Sequence, residues 1–228
     1  MSEIRYEELH FSSREEWLKA RVIGGSSAAS IIGKNPWQSN IELYWELIGQ
    51  SKKKDADNEI LKHGRKLEPL IRKALAVDFP NKYKVIEPKN YQMFRVIDKP
   101  FMTATIDGTL IETKTGRKGI LEIKTHDMRN AEDISNWESG NLPPNYIAQV
   151  IHYLAVLNDY DFVLFVPKLN YYGYDGNVRK LTKTVTRYDF IIERKDVESK
   201  IAWLEKQVTE FYENHVAKRI PPQPSIKF

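Results

Sequence analysis

The spacing of apolar residues predicts helices in the N-terminal third of the chain. Before residue 80, apolar residues recur at three- and four-residue intervals, which is typical of one face of an amphipathic helix. Capping-box pairs predict two helix starts: Ser13 with Glu16, and Ser39 with Glu42. Between them, the Gly24–Ser27 turn predicts a short helix that ends at Gly33. A solvated loop is expected over Ser51–Asp55, and a further helical pattern begins near Asn58. It contains Pro69, where we expect a kink or a restart.

After Pro80 the apolar period shortens to two, which is typical of strands. We predict three consecutive antiparallel strands, then a helix after Pro143 and Pro144, two further strands, and a C-terminal amphipathic helix that ends before Pro221. The predicted strands span Tyr91–Ile97, Phe101–Glu112, Lys118–Thr125, Phe162–Val166 and Thr182–Ile192. This order predicts an α/β fold, with a small mixed sheet flanked by helices.

Length and composition favour a single globular domain. The chain has 228 residues and no cysteine, which excludes disulfides, zinc fingers, iron–sulfur clusters and thiol catalysis. Within this one domain we expect an N-terminal helical part over about 1–56, a core over about 57–193 and a C-terminal helix over about 196–218. No apolar run approaches the ~18 residues that a membrane span requires, and the first residues are charged. We therefore expect a cytoplasmic protein that does not enter a membrane.

The charge balance gives a weak indication of the partner. Lysine and arginine number 35 and aspartate and glutamate 31, so the net charge is 35 − 31 = +4, with a pI near 9.0. A basic balance favours a polyanionic partner, although many ordinary soluble proteins reach this value.

A predicted hairpin brings two acids and a lysine together. Strand alternation places Glu122 and Lys124 on one face. If the turn is centred between Thr115 and Gly116, paired positions sum to 231, and Asp107 lies opposite Lys124 and diagonal to Glu122. The alternative is a surface hairpin with a cross-strand salt bridge. The apolar neighbours favour central strands, where charges are costly unless they are paired or hold a metal: Ile106, Ile120, Leu121 and Ile123. Oxygen ligands alone would select Mg²⁺ or Mn²⁺.

These residues resemble the PD-(D/E)XK nuclease motif, with Ile106 where the motif has proline. Three further segments resemble motifs of the lambda-exonuclease and YqaJ-like viral recombinase family. They are His63–Pro69 for its G-x-x-x-E helix, Gln149–Tyr153 for its Q-x-x-x-Y helix, and Trp17–Ser26 for the W-x-x-x-R segment that meets the DNA end. The resemblance covers about Trp17 to Val166, and four motifs in the family's order are more specific than any one.

The resemblance implies a restriction-endonuclease-like core and a phage-type, Mg²⁺-dependent DNA exonuclease of recombination, in which Mn²⁺ would substitute. It would degrade one strand from a duplex end, 5′→3′, inside a bacterial host. The implied metal ligands are Asp107, Glu122, Glu68 and the backbone carbonyl of Ile123, with Lys124 and Gln149 acting on the transition state. The implied DNA-binding residues are Arg21, Ser26, Arg65 and Tyr153. The implied partners are double-stranded DNA ends, a single-strand annealing recombinase, and further copies of the chain in a trimeric ring.

Each supporting residue has a structural alternative. Glu68 also fits a charge near a helix end, Gln149 a satisfied polar residue, and Tyr153 core packing. Arg21 and Ser26 also fit a helix end and an N-cap. His63, His126 and His152 lack metal-ligand spacing and are interpreted as structural. The tyrosine-rich run Asn170–Gly176 fits either a stacking surface for single-stranded DNA or an ordinary surface loop.

Two other functions remain open. One is a structure- or sequence-specific endonuclease of the same superfamily. The other is a non-catalytic DNA-binding module, against which the intact Asp107, Glu122 and Lys124 argue.

Overall fold

The computed structural model describes residues 3–51 and 59–225. Most of the expected loop at Ser51–Asp55, and the expected helix start near Asn58, lie outside these residues. Within the described ranges, no helix is long and apolar enough to cross a membrane.

Along the described residues, helices and strands occur in blocks, with four consecutive helices followed by five consecutive strands. The helices are α1 (Arg14–Ala20), α2 (Gly25–Ile31), α3 (Asn40–Leu47), α4 (Glu59–Asp78), α5 (Ala131–Glu138), α6 (Pro144–Val156) and α7 (Arg194–Phe211), which continues as a π-turn over Tyr212–Val216. The strands are β1 (Tyr6–His10), β2 (Tyr83–Ile86), β3 (Gln92–Val96), β4 (Thr103–Ala104), β5 (Gly108–Glu112), β6 (Lys118–Asp127), β7 (Phe162–Asp175), β8 (Val178–Thr186) and β9 (Phe190–Glu193). The predicted α/β class is confirmed.

The strands form two sheets. The large sheet has the order β2-β5-β6-β7-β8, with β9 also pairing with β7, and the small sheet has the order β1-β3-β4. The β6–β7 pair is parallel and its neighbours are antiparallel, so the large sheet is mixed, as predicted. The prediction of three consecutive antiparallel strands is wrong. Phe101–Glu112 is divided at residues 105–107, where the chain leaves the small sheet and enters the large one.

Other differences arise where strands depend on distant partners. Thr182–Ile192 is not one strand, because β8 and β9 pair with different parts of β7. The sequence analysis missed β1, β2 and α5, whose sequences carry few buried side chains: α5 buries only Trp137. In α4 the helix continues through Pro69, so the predicted restart is wrong. Ile71 and Leu75, both buried in the core, hold the turns that follow the proline.

Alternation along β6 separates two cores. Leu121 and Ile123 pack with Ile71 and Leu75 of α4 on one side of the large sheet. Ile120 packs on the other side, in the core that contains most of α6. Because side chains alternate, Glu122 faces the same side as Ile120, towards α6 and its Gln149. The sheet and its flanking helices therefore determine where the acidic side chains meet.

Candidate active site

The hairpin of β5 and β6 aligns Asp107 with Glu122 directly. The residue numbers of paired positions add up to 229, as for Thr109 with Ile120, whereas the predicted pairing adds up to 231. The predicted register is therefore wrong by two residues. Gly116 has φ 73° and donates its N–H to the carbonyl of Glu112 at 2.8 Å, which centres the turn between Lys114 and Thr115. A shift of two residues leaves every side chain on its predicted face of the sheet. Asp107, Glu122 and Lys124 therefore still lie on one face, as predicted.

Glu122 is the centre of the site. Its side chain is 1% exposed, and its Oε1 accepts hydrogen bonds from the Gln149 amide at 2.6 Å and from the Lys124 ammonium. The same Gln149 amide lies 2.7 Å from the Tyr153 hydroxyl. Gln149 and Tyr153 come from one face of α6, so the predicted Q-x-x-x-Y pair reaches the strand that carries Glu122 and Lys124.

Asp107 is held by the backbone of β6 and by a residue that the sequence analysis missed. Its Oδ2 accepts the Ile123 N–H at 2.7 Å. Its carbonyl accepts from the Arg72 guanidinium at 2.9 Å, and the other end of that guanidinium donates to Glu87 at 2.8 Å. Arg72 is buried and lies one helical turn after Glu68 on α4. The sequence pattern that could have identified Arg72 is its spacing of four residues from the motif glutamate, which places both on one helix face.

Full or partial burial raises the pKa values of the three carboxyl groups in the site. The pKa of Glu122 is raised to about 8, mainly by burial and further by the negative charges of Asp107 and Glu68. The positive charge of Lys124 opposes this rise. Burial and the Asp107 charge raise the pKa of Glu68 to about 7, and burial raises that of Asp107. For Lys124, burial lowers the pKa, but Glu122 and Asp107 more than reverse this and raise it. Three carboxyls that repel one another are thus stabilised by one ammonium.

The donor chemistry of these residues fits a hard divalent cation. Glu122 Oε2 is buried and has no hydrogen-bond partner among the described residues, so one carboxylate oxygen remains available to a ligand. Carboxylate oxygens suit Mg²⁺ and Mn²⁺. In the described ranges, no three histidine or acidic side chains are yet gathered as a set that could hold a metal.

The N-terminal segment borders the same site. A Cβ on Gly25 would lie 2.5 Å from Gln149 Cγ and 2.9 Å from Tyr153 Cε1, so α2 meets α6 at Gln149. The Arg21 guanidinium lies 5.4 Å from the centre of the Trp17 ring. Burial raises the pKa of Tyr153, and the positive charge of Arg21 opposes that rise. The N-cap of α2 is Gly24, which makes the N-cap alternative for Ser26 wrong. Ser26 is exposed in the first turn instead.

The remaining predicted residues occupy different positions. Arg65 is exposed on α4, and its charge lowers the pKa of Glu68. His152 is buried with Nε2 3.0 Å from the Thr103 carbonyl, and burial lowers its pKa to about 4. His126 contacts Asp133 at 2.9 Å. These contacts agree with a structural role for His126 and His152.

Gly25→Ala is expected to lower the free energy of unfolding by about 1–3 kcal/mol, because its methyl group overlaps Gln149 and Tyr153. It should also displace the Gln149 amide from Glu122. Denaturant unfolding measures the first effect. Gly64→Ala is the matched control, because a Cβ there meets nothing within 4 Å. An unfolding midpoint for Gly25→Ala equal to that of the control would contradict the predicted contact.

Comparison with known proteins identifies a family for this chain and solved structures that share its fold. A family model described as the YqaJ-like viral recombinase domain matches residues 16–160. The uncharacterized protein YqaJ of Bacillus subtilis (strain 168) is 33% identical over 147 residues, which is 64% of this chain and 43% of that protein. The chain thus spans less than half the length of this curated relative.

Solved structures share the fold. An alkaline exonuclease from Laribacter hongkongensis, LHK-Exo, matches in its complex with dAMP with a TM-score of 0.63 at 22% identity, over 90% of this chain and 94% of that one. A phage related exonuclease from Haemophilus somnus 129PT matches with a TM-score of 0.51 at 17% identity, over 89% and 98% of the two chains. At these identities the likeness shows the fold, and it confirms the restriction-endonuclease-like core.

Proposed function

Since the chain belongs to the YqaJ-like viral recombinase domain family, as its resemblance predicted, we propose that it is a phage-type, metal-dependent DNA exonuclease of recombination. It hydrolyses the phosphodiester bonds of one strand from a duplex end, in the 5′→3′ direction, and leaves single-stranded DNA. The observation that carries this proposal is that Asp107, Glu122 and Lys124 meet on one hairpin, with Glu122 buried and the other two half-buried. A solvated hairpin with an ordinary salt bridge would not bury the Glu122 carboxyl.

Asp107, Glu122, Glu68 and the carbonyl of Ile123 would hold Mg²⁺, with Mn²⁺ as a substitute. When bound, the cation supplies an activated water and stabilises the leaving oxygen. The protein contributes rigidity. The Ile123 N–H and the Arg72 guanidinium fix Asp107 from opposite sides, and the Gln149 amide fixes one oxygen of Glu122, which leaves Oε2 for the ligand.

Lys124 places a positive charge beside the scissile phosphate. Its raised pKa keeps the ammonium protonated throughout the physiological range. A partly buried ammonium stabilises the negative charge that develops on a phosphate in the transition state. Gln149 orients the nucleophilic water or the phosphate through the amide that already contacts Glu122.

Arg21 and Ser26 are proposed to recognise the 5′ phosphate of the DNA end, beside Arg65 as a further DNA contact. Tyr153 is 3% exposed and packs in the core, which supports the core-packing alternative over a direct contact with DNA. Arg21→Ala is expected to reduce the preference for phosphorylated over dephosphorylated ends by about tenfold, the value of one charge-assisted contact. Initiation rates on both kinds of end measure this preference. Lys19→Ala is the matched control, because Lys19 is an exposed cation of α1 that pairs with Glu15. A wild-type protein without any preference, or an unchanged preference in Arg21→Ala, would reduce these residues to a structural role.

We propose further that three copies form a closed ring around DNA. A net charge of +4 gives little affinity for duplex through phosphate neutralisation, so long digestion needs topological trapping. Light scattering is expected to give the mass of a trimer, and a competitor trap should leave digestion of long duplex uninterrupted. A monomer that digests long duplex without dissociating would contradict the ring. The single strand left behind would pass to an annealing recombinase.

An endonuclease of the same superfamily is the second candidate, since the metal chemistry would be the same. The two are separated by comparing covalently closed circular duplex with the same duplex linearised. The exonuclease leaves the circle intact and degrades the linear form, whereas cleavage of the circle would favour the endonuclease.

A further inference from the structure

The second half of β7 and the strand β8 form a two-stranded arm, defined here as Tyr171–Lys183, that the active site does not use. From Tyr174 onwards every side chain of the arm is exposed. The tip is a turn at Gly176, which has φ 60°. The predicted surface loop at Asn170–Gly176 is therefore part of a strand. Because the exposed residues of the arm do not form a core, their residue types can indicate what the arm binds.

Aromatic and cationic side chains are paired on this arm. The Arg179 guanidinium lies 3.8 Å from the centre of the Tyr172 ring, and the Lys183 ammonium lies 5.3 Å from that of Tyr171. A β-bulge between Tyr171 and Tyr172 shifts the register, so that Tyr172 pairs with Leu181 and Tyr174 with Arg179. Paired residues share a face, which makes one continuous surface: Tyr172, Tyr174, Arg179 and Leu181.

This surface is exposed although it is largely apolar. Tyr174 is 77% exposed and Leu181 51%. Lysines are common on edge strands because they prevent strand-to-strand aggregation, and that explanation suffices for Lys180 and Lys183. It does not explain exposed tyrosine and leucine beside an arginine stacked on a ring. The arm has three cations, Arg179, Lys180 and Lys183, against one acid, Asp175.

The arm is also connected to the catalytic strand. In the parallel β6–β7 pair, Lys124 is the partner of Pro167. Five residues further along β7, at about 3.3 Å each, Tyr172 lies roughly 17 Å beyond the catalytic lysine. Asp127, the last residue of β6, accepts a hydrogen bond from the Asn170 amide at 2.9 Å. The base of the arm is thus fixed to the strand that carries Glu122 and Lys124.

We propose that the face of Tyr172, Tyr174, Arg179 and Leu181 binds single-stranded DNA. Unpaired bases expose their π-faces, which stack on tyrosine rings and guanidinium planes, while the cations neutralise phosphates. Duplex DNA conceals its base faces and gains only the electrostatic part. This inference rests on the proposed function, because the strand that the surface would bind is the one that digestion leaves behind.

The test measures the dissociation constant of full-length protein for fluorescent oligothymidylate and for a blunt-ended duplex, both with chelator so that no digestion occurs. The double variant Tyr174→Ala, Arg179→Ala is expected to bind oligothymidylate at least about tenfold more weakly, with a smaller change for duplex. Lys180→Ala is the matched control, because it removes one charge from the opposite face. Its expected change is about threefold at most.

Three results would overturn the inference. The double variant binds oligothymidylate as tightly as wild type, or Lys180→Ala weakens binding as much as the double variant does, or light scattering shows that the double variant changes the assembly. Thermal unfolding should be unaltered, since these side chains are exposed. The outcome is independent of catalysis. A wild-type protein that fails to digest duplex in Mg²⁺ refutes the proposed function, whereas equal oligothymidylate binding by the arm variants refutes only the surface.

Discussion

Asp107→Asn and Glu122→Gln are each expected to reduce the rate of DNA digestion by about 10³-fold or more. Each substitution removes a negative charge that would hold the divalent cation, and a metal centre contributes several kcal/mol of transition-state stabilisation, with each 1.36 kcal/mol worth a factor of ten. Single-turnover digestion of a labelled duplex measures the loss directly, free of product release.

Both variants should remain folded. In Asp107→Asn the side-chain amide retains an oxygen that accepts the Ile123 N–H, and the loss of a buried carboxylate relieves repulsion in a site where burial already raises the pKa of Glu122 to about 8. Glu112→Gln is the matched control, because Glu112 lies at the far end of the same hairpin, where it pairs with Arg117. An inactive control, or an active Glu122→Gln, would remove Glu122 from the centre of the chemistry.

Lys124→Ala is expected to lower turnover by about 10²–10³-fold while metal affinity persists. The ammonium acts on the substrate phosphate, whereas the carboxylates hold the cation, so the two measurements should separate. Turnover comes from digestion kinetics, and Mn²⁺ affinity from calorimetry of metal-free protein without DNA.

The control for this variant is Lys118→Ala. Lys118 lies at the other end of β6 and pairs with Asp159, so its loss removes a lysine from the same strand without approaching Glu122. If Lys124→Ala abolished Mn²⁺ binding together with turnover, the lysine would be a structural partner of Glu122. Unchanged turnover would exclude it from the reaction.

Much of the site is visible in the sequence because strand alternation is local. Glu122 and Lys124 share a face for any register, and Gln149 and Tyr153 share a face of any helix. The register depends on where the turn is centred. With Gly116 in the positive-φ position, the centre lies one residue earlier than predicted. The error changed which residue faces Asp107 and left the side of the sheet unaltered.

The contacts that the sequence analysis missed join elements that are distant in the chain. Arg72 reaches the Asp107 carbonyl across 35 residues, and Gly25 touches Gln149 between two helices. The small sheet was missed for the same reason: β1 pairs with β3 across more than 80 residues, and its own sequence is charged. Local patterns predict an element's type, whereas its partners come from packing.

The most direct test of the metal-dependent exonuclease is digestion of linear duplex labelled separately at each 5′ and 3′ end, with Mg²⁺ and with chelator. We expect the 5′ label to be released early as a small product in Mg²⁺, the 3′ label to persist on a shortening strand, and no release in chelator. Full digestion in chelator would contradict the role assigned to Asp107 and Glu122, and internal cleavage without release from either end would contradict the exonuclease.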